Sequence, residues 1–214
     1  MRRKTLALLV LACSLIAATL AGGIALVMVE LRPPPANVPV EAFLGAVHLR
    51  FLPGFARLPE ARRGGTLDRL DLAVTFPDFH PAKPRRPGEP EAALLFIRMM
   101  PLEATLDPSD RPLRLYAPFL ELAGWEQEGG LVMRRFVAGS PYQTEDLYLA
   151  PPEGRLFWAR CLRPAQPPVP LPDTCLSDLR LHGLDVQVRF DPALLPQWEQ
   201  LVAGVRGLVE GMAR

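Results

Sequence analysis

The chain has 214 residues, among them 25 prolines and 3 cysteines, and a formal net charge of +1. Near-neutral charge with no basic tract or aromatic-interleaved basic patch argues against a nucleic-acid partner, and three cysteines with no CxxC spacing argue against a cysteine zinc cluster. The basic residues are almost all arginine, 22 against Lys4 and Lys83, and with abundant Ala, Leu and Pro this usage fits high-GC bacterial coding.

Behind the basic segment 1–4, Met1-Arg2-Arg3-Lys4, residues 5–29 form an uncharged run of 25 residues. A helix of that length covers roughly 37 Å, more than the ~30 Å hydrocarbon core of a bilayer, so a transmembrane helix is expected over 5–29. A cleaved signal peptide has an apolar core of only about 7–15 residues. Here Ile24 to Val29 stay apolar beyond the small residues Ala21-Gly22-Gly23, and an uncleaved signal anchor is the expectation. Val10-Leu11-Ala12-Cys13 weakly resembles a lipoprotein box, but 16 further apolar residues follow Cys13, which reads better as a small apolar residue of the span. Arg2, Arg3 and Lys4 precede the span, while Glu30 and Arg32 nearly cancel after it. The positive-inside bias then holds the N-terminus in the cytoplasm and sends everything beyond the span outside. The expected location is a bacterial inner membrane, crossed once, with a periplasmic C-terminal domain and the lipid bilayer as partner of 5–29.

Residues 30–40 are proline-rich and suit an extended polyproline II spacer. The remainder, 41–214, suits one periplasmic α+β domain. Leu70, Leu72, Val74 and Phe76 alternate with Asp71, Ala73 and Thr75, the pattern of a strand with one buried face, stopped by Pro77. A shorter alternation at His48-Leu49-Arg50-Phe51 ends at Pro53-Gly54. The apolar run 92–100 suits a central strand ended by Pro101. A short helix is expected over 113–122, with Asp110 as its cap and Pro112 in its first turn. Strands are expected at 130–137, 145–149 and 155–161, the last two joined by the turn Pro151-Pro152-Glu153-Gly154. Those at 176–181 and 184–190 flank His182-Gly183, a tight hairpin turn. Short links between consecutive strands imply a mainly antiparallel sheet of about 6–8 strands.

At the C-terminus Leu194, Leu195, Trp198, Leu201, Val202, Val205, Leu208, Val209 and Met212 recur at intervals of three and four, an amphipathic helix that packs on the sheet. Asp191 caps a tight turn over 192–195, and the main helix begins near Pro196. Gly204, Gly207 and Gly211 each cost about 1 kcal/mol relative to alanine in such a helix, which points to close packing or a frayed end. Trp198 is expected to be buried against the sheet.

Cys161 and Cys175 are the two cysteines beyond the span, separated by a proline-crowded stretch, and in an exported domain such a pair reads as a disulfide. Asp78 and His80, two residues apart at a strand end, are a candidate for metal binding or proton transfer, against the plainer reading of a polar loop closed by Pro77 and Pro81. His48 reads as an exposed strand residue and His182 as a turn residue. Ser140 lacks the G-x-S-x-G elbow, and Pro141 removes an N–H that an oxyanion hole would use. Arg62-Arg63 and Arg134-Arg135 could clamp a carboxylate or phosphate, though paired arginines are usually solvated. Tyr142, Tyr148, Trp158 and Trp198 read as core. No catalytic, cofactor or metal site is assigned. The leading expectation is a non-enzymatic binding or envelope-assembly module with an envelope protein partner. The alternatives are an envelope hydrolase or metal-dependent enzyme using Asp78 and His80, and an immunity-type protein that blocks a periplasmic toxin.

Overall fold

The computed structural model describes residues 19, 35–83, 92–103, 106–163 and 174–214. The chain divides into Met1–Pro34 and Pro35–Arg214. The expected span 5–29 lies outside the described residues, apart from the helical Thr19, and among the described residues no helix is long and apolar enough to cross a membrane.

Pro35–Arg214 is built on two sheets. The smaller holds β1 (Val40–Leu44), β2 (Val47–Phe51) and β3 (Gly65–Leu67) in the order β2-β1-β3. Its β1–β2 pair is antiparallel, and its β1–β3 pair is parallel. The larger holds β4 (Leu70–Phe76), β5 (Ala93–Pro101), β6 (Trp125–Glu126), β7 (Val132–Arg135), β8 (Glu145–Leu149), β9 (Trp158–Leu162), β10 (Cys175–Leu181) and β11 (Leu184–Phe190). All its pairings are antiparallel, in the order β4-β5-β11-β10-β9-β8-β7-β6. The one long helix among the described residues, α1 (Trp198–Met212), follows a tight turn over Pro192–Gln197. Asp191 caps that turn by accepting from the Ala193 N–H at 2.8 Å. The α+β expectation therefore holds for the domain. The smaller sheet carries the parallel pair that the sequence did not announce.

Alternation decides which face is buried. In β10 and β11 the residues Ser177, Leu179, Leu181, Leu184, Val186 and Val188 face the core, and their neighbours Asp178, Arg180, Asp185 and Gln187 face the other way. Leu201, Val205 and Val209 of α1 are fully buried in the same cluster as Leu72, Ile97 and Val188 of the large sheet and Leu44 and Leu49 of the small one. One core thus joins both sheets and the helix. The chain end is pinned to the small sheet: Ala213 bridges to Leu49, and the Arg214 N–H donates to the His48 carbonyl at 3.0 Å.

Two local expectations give way. Residues 113–122 do not form one regular α-helix: a π-helical turn, Pro112–Tyr116, runs into a 3-10 turn, Ala117–Phe119, and both follow a 3-10 turn at Pro108–Asp110. Pro118 has no N–H to donate and ends any regular helix begun at Pro112, and the capping carboxylate is Asp107 rather than Asp110. Trp198 is half-buried rather than buried, because it opens α1 at the domain's edge. Its ring stacks on Phe157 with centroids 5.4 Å apart, and its indole N–H donates to the Gly129 carbonyl at 2.9 Å.

Cys161 and Cys175 are bonded and directly opposed on β9 and β10. Their Cα atoms are 4.0 Å apart, closer than the usual ~4.4–6.8 Å for disulfides, because facing residues on antiparallel strands already approach to about 4.5 Å. Most of the intervening proline-rich stretch, 164–173, lies outside the described residues.

Candidate functional site

Among the described residues, the face of the large sheet turned away from α1 is covered on one half and open on the other. Over β8 and β9, the segment 106–122 closes a second apolar cluster of Tyr116, Leu120, Phe136, Leu147 and Trp158. The Trp158 indole N–H donates to the Pro108 carbonyl at 2.7 Å. Arg160 lies between two rings of this cluster, 5.4 Å from the Tyr116 centroid and 4.9 Å from that of Tyr142, and donates to Glu145 at 2.8 Å. Burial pushes the Tyr116 hydroxyl up to about 12, against the opposing pull of Arg160.

Ion pairs fasten the segment to the sheet. Arg111 pairs with Asp178, which also accepts from the Gln187 amide at 3.3 Å. Burial raises the Asp178 carboxyl above the ordinary carboxylate range, and Arg111 pulls it the other way. Arg180 reaches Asp185 at 3.0 Å and Asp107 at 3.6 Å. Ser109 donates to Asp107 Oδ1 from its hydroxyl at 2.7 Å and from its backbone at 2.9 Å. These bonds hold the Asp107 carboxyl below its ordinary range.

On the open half, the strand register lays Asp71, Arg98, Gln187 and Asp178 in one row across β4, β5, β11 and β10. Asp71 accepts from Arg69 at 2.9 Å and from Arg98 at 2.8 Å, while only 10% of its own side chain is exposed. A carboxylate so desolvated needs both partners, since an unpaired buried charge is costly. The next row holds Ala73, Phe96 and Arg189. Arg57 stands over Phe96 with its guanidinium 4.5 Å from the ring centroid, and its backbone N–H donates to the Asp71 carbonyl at 2.8 Å. Arg57, Asp71, Phe96, Arg98, Gln187 and Arg189 line a shallow cleft of about 40 Å³. Counting Arg69, four guanidinium groups stand on this half of the face, and two of them, Arg69 and Arg98, pair with Asp71. Such a face is suited to an anionic group presented by a larger partner, because drug-sized ligands occupy roughly 300–1,000 Å³.

A wider groove of about 370 Å³ lies between α1 and β2, lined by Phe51, Leu52, Phe55 and Leu208 with Arg50 and Arg214. Among the described residues, the side chains lining it are apolar apart from Arg50 and Arg214.

The candidates expected from sequence disperse. Asp78 and His80 are both exposed, in a loop that folds back along β4: the Thr75 N–H donates to the His80 carbonyl at 2.9 Å and Val74 bridges to Pro81. Among the described residues no group of three His, Cys, Asp or Glu could hold a metal ion. His48 stacks on Phe43 with centroids 4.8 Å apart and lies 3.4 Å from Glu41. His182 is the positive-φ turn residue between β10 and β11, 3.9 Å from Glu210. Ser140 is buried with its hydroxyl unpartnered, in a turn closed by its own backbone bonds. Three of the four paired arginines serve the fold. Arg62 donates to the Ala56 carbonyl at 3.0 Å, Arg134 to the Glu121 carbonyl, and Arg135 lies 5.1 Å from the Trp125 ring centroid. Tyr142 packs against the second cluster and Tyr148 against the main core, where burial raises its hydroxyl. Sequence reasoning missed Arg57, Arg98 and Arg189. Only the alternation of β5 and β11 could have put Arg98 and Arg189 on one face, and nothing local marks Arg57.

No family model and no curated protein sequence matches the chain. Among solved structures, the fold is similar to that of Smlt3025, an immunity protein of the Stenotrophomonas maltophilia type IV secretion system. The identity is 15% and the TM-score 0.57, over 83% of this chain and 94% of that one. At this identity the likeness is one of fold.

Proposed function

We propose that this chain is an immunity-type protein, anchored in a bacterial inner membrane through residues 5–29, whose periplasmic domain 41–214 binds a protein toxin and blocks it. On this reading it catalyses nothing itself. The observation that carries it is the half-open outer face of the large sheet, a broad charged surface suited to a macromolecule. The fold likeness to Smlt3025 supports it, as an immunity protein of the same sheet-and-helix build. The bond between Cys161 and Cys175 supports an oxidising compartment, and the charge asymmetry around 5–29 supports the orientation.

The test is a competition between siblings. A strain lacking the gene is grown in surface contact with its toxin-bearing parent and, separately, in dilute liquid culture. Selective loss of the deletion strain in contact, cured by supplying the full chain in trans, is the expected result. Equal survival in both settings overturns the immunity reading. A reporter fused after Arg214 should be active only if exported, and release of a shortened soluble chain would remove the anchor.

A further inference from the structure

We propose that Arg57, which stands over Phe96, and Arg189, its cross-strand neighbour, form the seat for an acidic side chain, an Asp or Glu, on the surface of the bound toxin. The proposal rests on the reading of the chain as a toxin binder and names the chemistry of the contact. Of the four arginines on this half of the face, Arg69 and Arg98 spend their charge on Asp71. Arg57 and Arg189 are exposed and, among the described residues, neither is paired with a carboxylate. They line the same shallow cleft, and Phe96 lies directly across the strand pair from Arg189.

Arg57 is also ordered in advance, since its guanidinium rests on the Phe96 ring. A cation held on an aromatic face loses less side-chain freedom when a partner arrives. Two guanidinium forks lining one cleft suit a planar carboxylate. The small cleft admits one such group and little else. Asp71, Arg69 and Arg98 form a neutralised margin beside it with one positive charge to spare, so the whole half-face attracts an acidic surface before contact.

The probe is a displayed library of random peptides, selected on the full-length chain in detergent micelles. Three forms are compared: the natural chain, the Arg57→Ala/Arg189→Ala pair and the Arg57→Glu/Arg189→Glu pair. Peptides selected on the natural chain should be enriched in Asp and Glu over the input library, and their binding should weaken as salt shortens the screening length toward ~3 Å at 1 M. The alanine pair should lose the enrichment, and the glutamate pair should select Lys and Arg instead. Urea melts on each form establish that it is folded, and Arg57→Gln/Arg189→Gln replaces the alanine pair if that melts early. Absence of acidic enrichment on the natural chain, or its persistence in the folded variants, overturns the proposal. The outcomes separate from those of the sibling competition. A chain that protects its host but shows no acidic preference refutes the seat and leaves the immunity reading, and acidic preference without protection does the reverse.

Discussion

The ring of Phe79 occupies the position that a Cβ on Gly204 would take. Phe79 has a φ of 53°, an uncommon conformation for an aromatic residue, and its N–H is held by the Thr75 carbonyl at 2.8 Å. The loop after β4 thus plugs into the one helical glycine that has no room for a methyl group. Gly207 and Gly211 differ, for nothing stands within 4 Å of a Cβ at either.

The three glycines of α1 should therefore respond with opposite signs. Gly204→Ala forces Phe79 out of its site, and overpacking of this kind costs about 1–3 kcal/mol, more than the ~1 kcal/mol that alanine gains in helix propensity. Gly207→Ala and Gly211→Ala keep the propensity gain and should stabilise by about 0.5–1 kcal/mol each. Urea midpoints of the three variants measure this. A stabilised Gly204→Ala would mean that the loop does not dock on α1.

The disulfide should add stability mainly by restricting the unfolded chain. Its separation of 14 residues corresponds to about 3 kcal/mol on the loop-entropy estimate, lowered by the prolines that already stiffen the loop. Because Cys161 and Cys175 face each other in register on β9 and β10, the strands can pair without the bond. Cys161→Ala/Cys175→Ala should fold to the same sheet with a urea midpoint reduced by the equivalent of about 1–3 kcal/mol. A fully unfolded variant would show that pairing of β9 and β10 depends on the bond.

Along α1, depth and not ring size should rank the substitutions. Leu201 is fully buried, and Leu201→Ala should cost about 2–5 kcal/mol. Trp198 stands half-buried and contributes its stack on Phe157 and its bond to the Gly129 carbonyl. An aromatic pair adds about 0.5–1.5 kcal/mol beyond area burial, so Trp198→Ala should cost about 1–3 kcal/mol. A Trp198→Ala penalty above that of Leu201→Ala would reverse the order.

What was legible in the sequence follows from how each element keeps its period. β11 alternates without interruption, β4 and β10 over most of their length, and the turn between β10 and β11 is written in His182-Gly183, both of positive φ. The stripe on α1 repeats by three and four because one face meets the sheet. The Cys161–Cys175 pair was legible by count alone. By contrast, β3 has three residues and β6 two, too few to show a period, and the parallel β1–β3 pair is a long-range contact with no local mark. The helix expected over 113–122 was misread because Leu113, Tyr116 and Leu120 mimic a helical spacing that Pro118 forbids. The arginine face was illegible for a related reason: Arg57 joins Arg98 and Arg189 only through tertiary packing, whereas Asp78 and His80 drew notice by lying two residues apart and share only a solvent-facing loop.

The acid limb of the stability curve should report the Ser109–Asp107 contact. Asp107 is held below its ordinary value of 3.8, first by the Ser109 hydroxyl and then by the Ser109 backbone N–H. A carboxyl with a depressed folded value binds fewer protons when folded than when unfolded, so its contribution is complete above 3.8 and is lost as pH falls toward the folded value. Asp178 runs the other way. Its folded value is raised, so its ionisation opposes folding at higher pH and that cost is relieved on acidification. Ser109→Ala removes the hydroxyl bond and keeps the backbone bond, so the Asp107 carboxyl should move part of the way back up. The decline of stability on acidification should become shallower in that variant. NMR titration of the Asp107 carboxyl, with urea midpoints followed as pH falls below 3.8, reads the Asp107 contribution. A titration point for Asp107 that does not rise in Ser109→Ala would show that the hydroxyl is not what holds the carboxyl down.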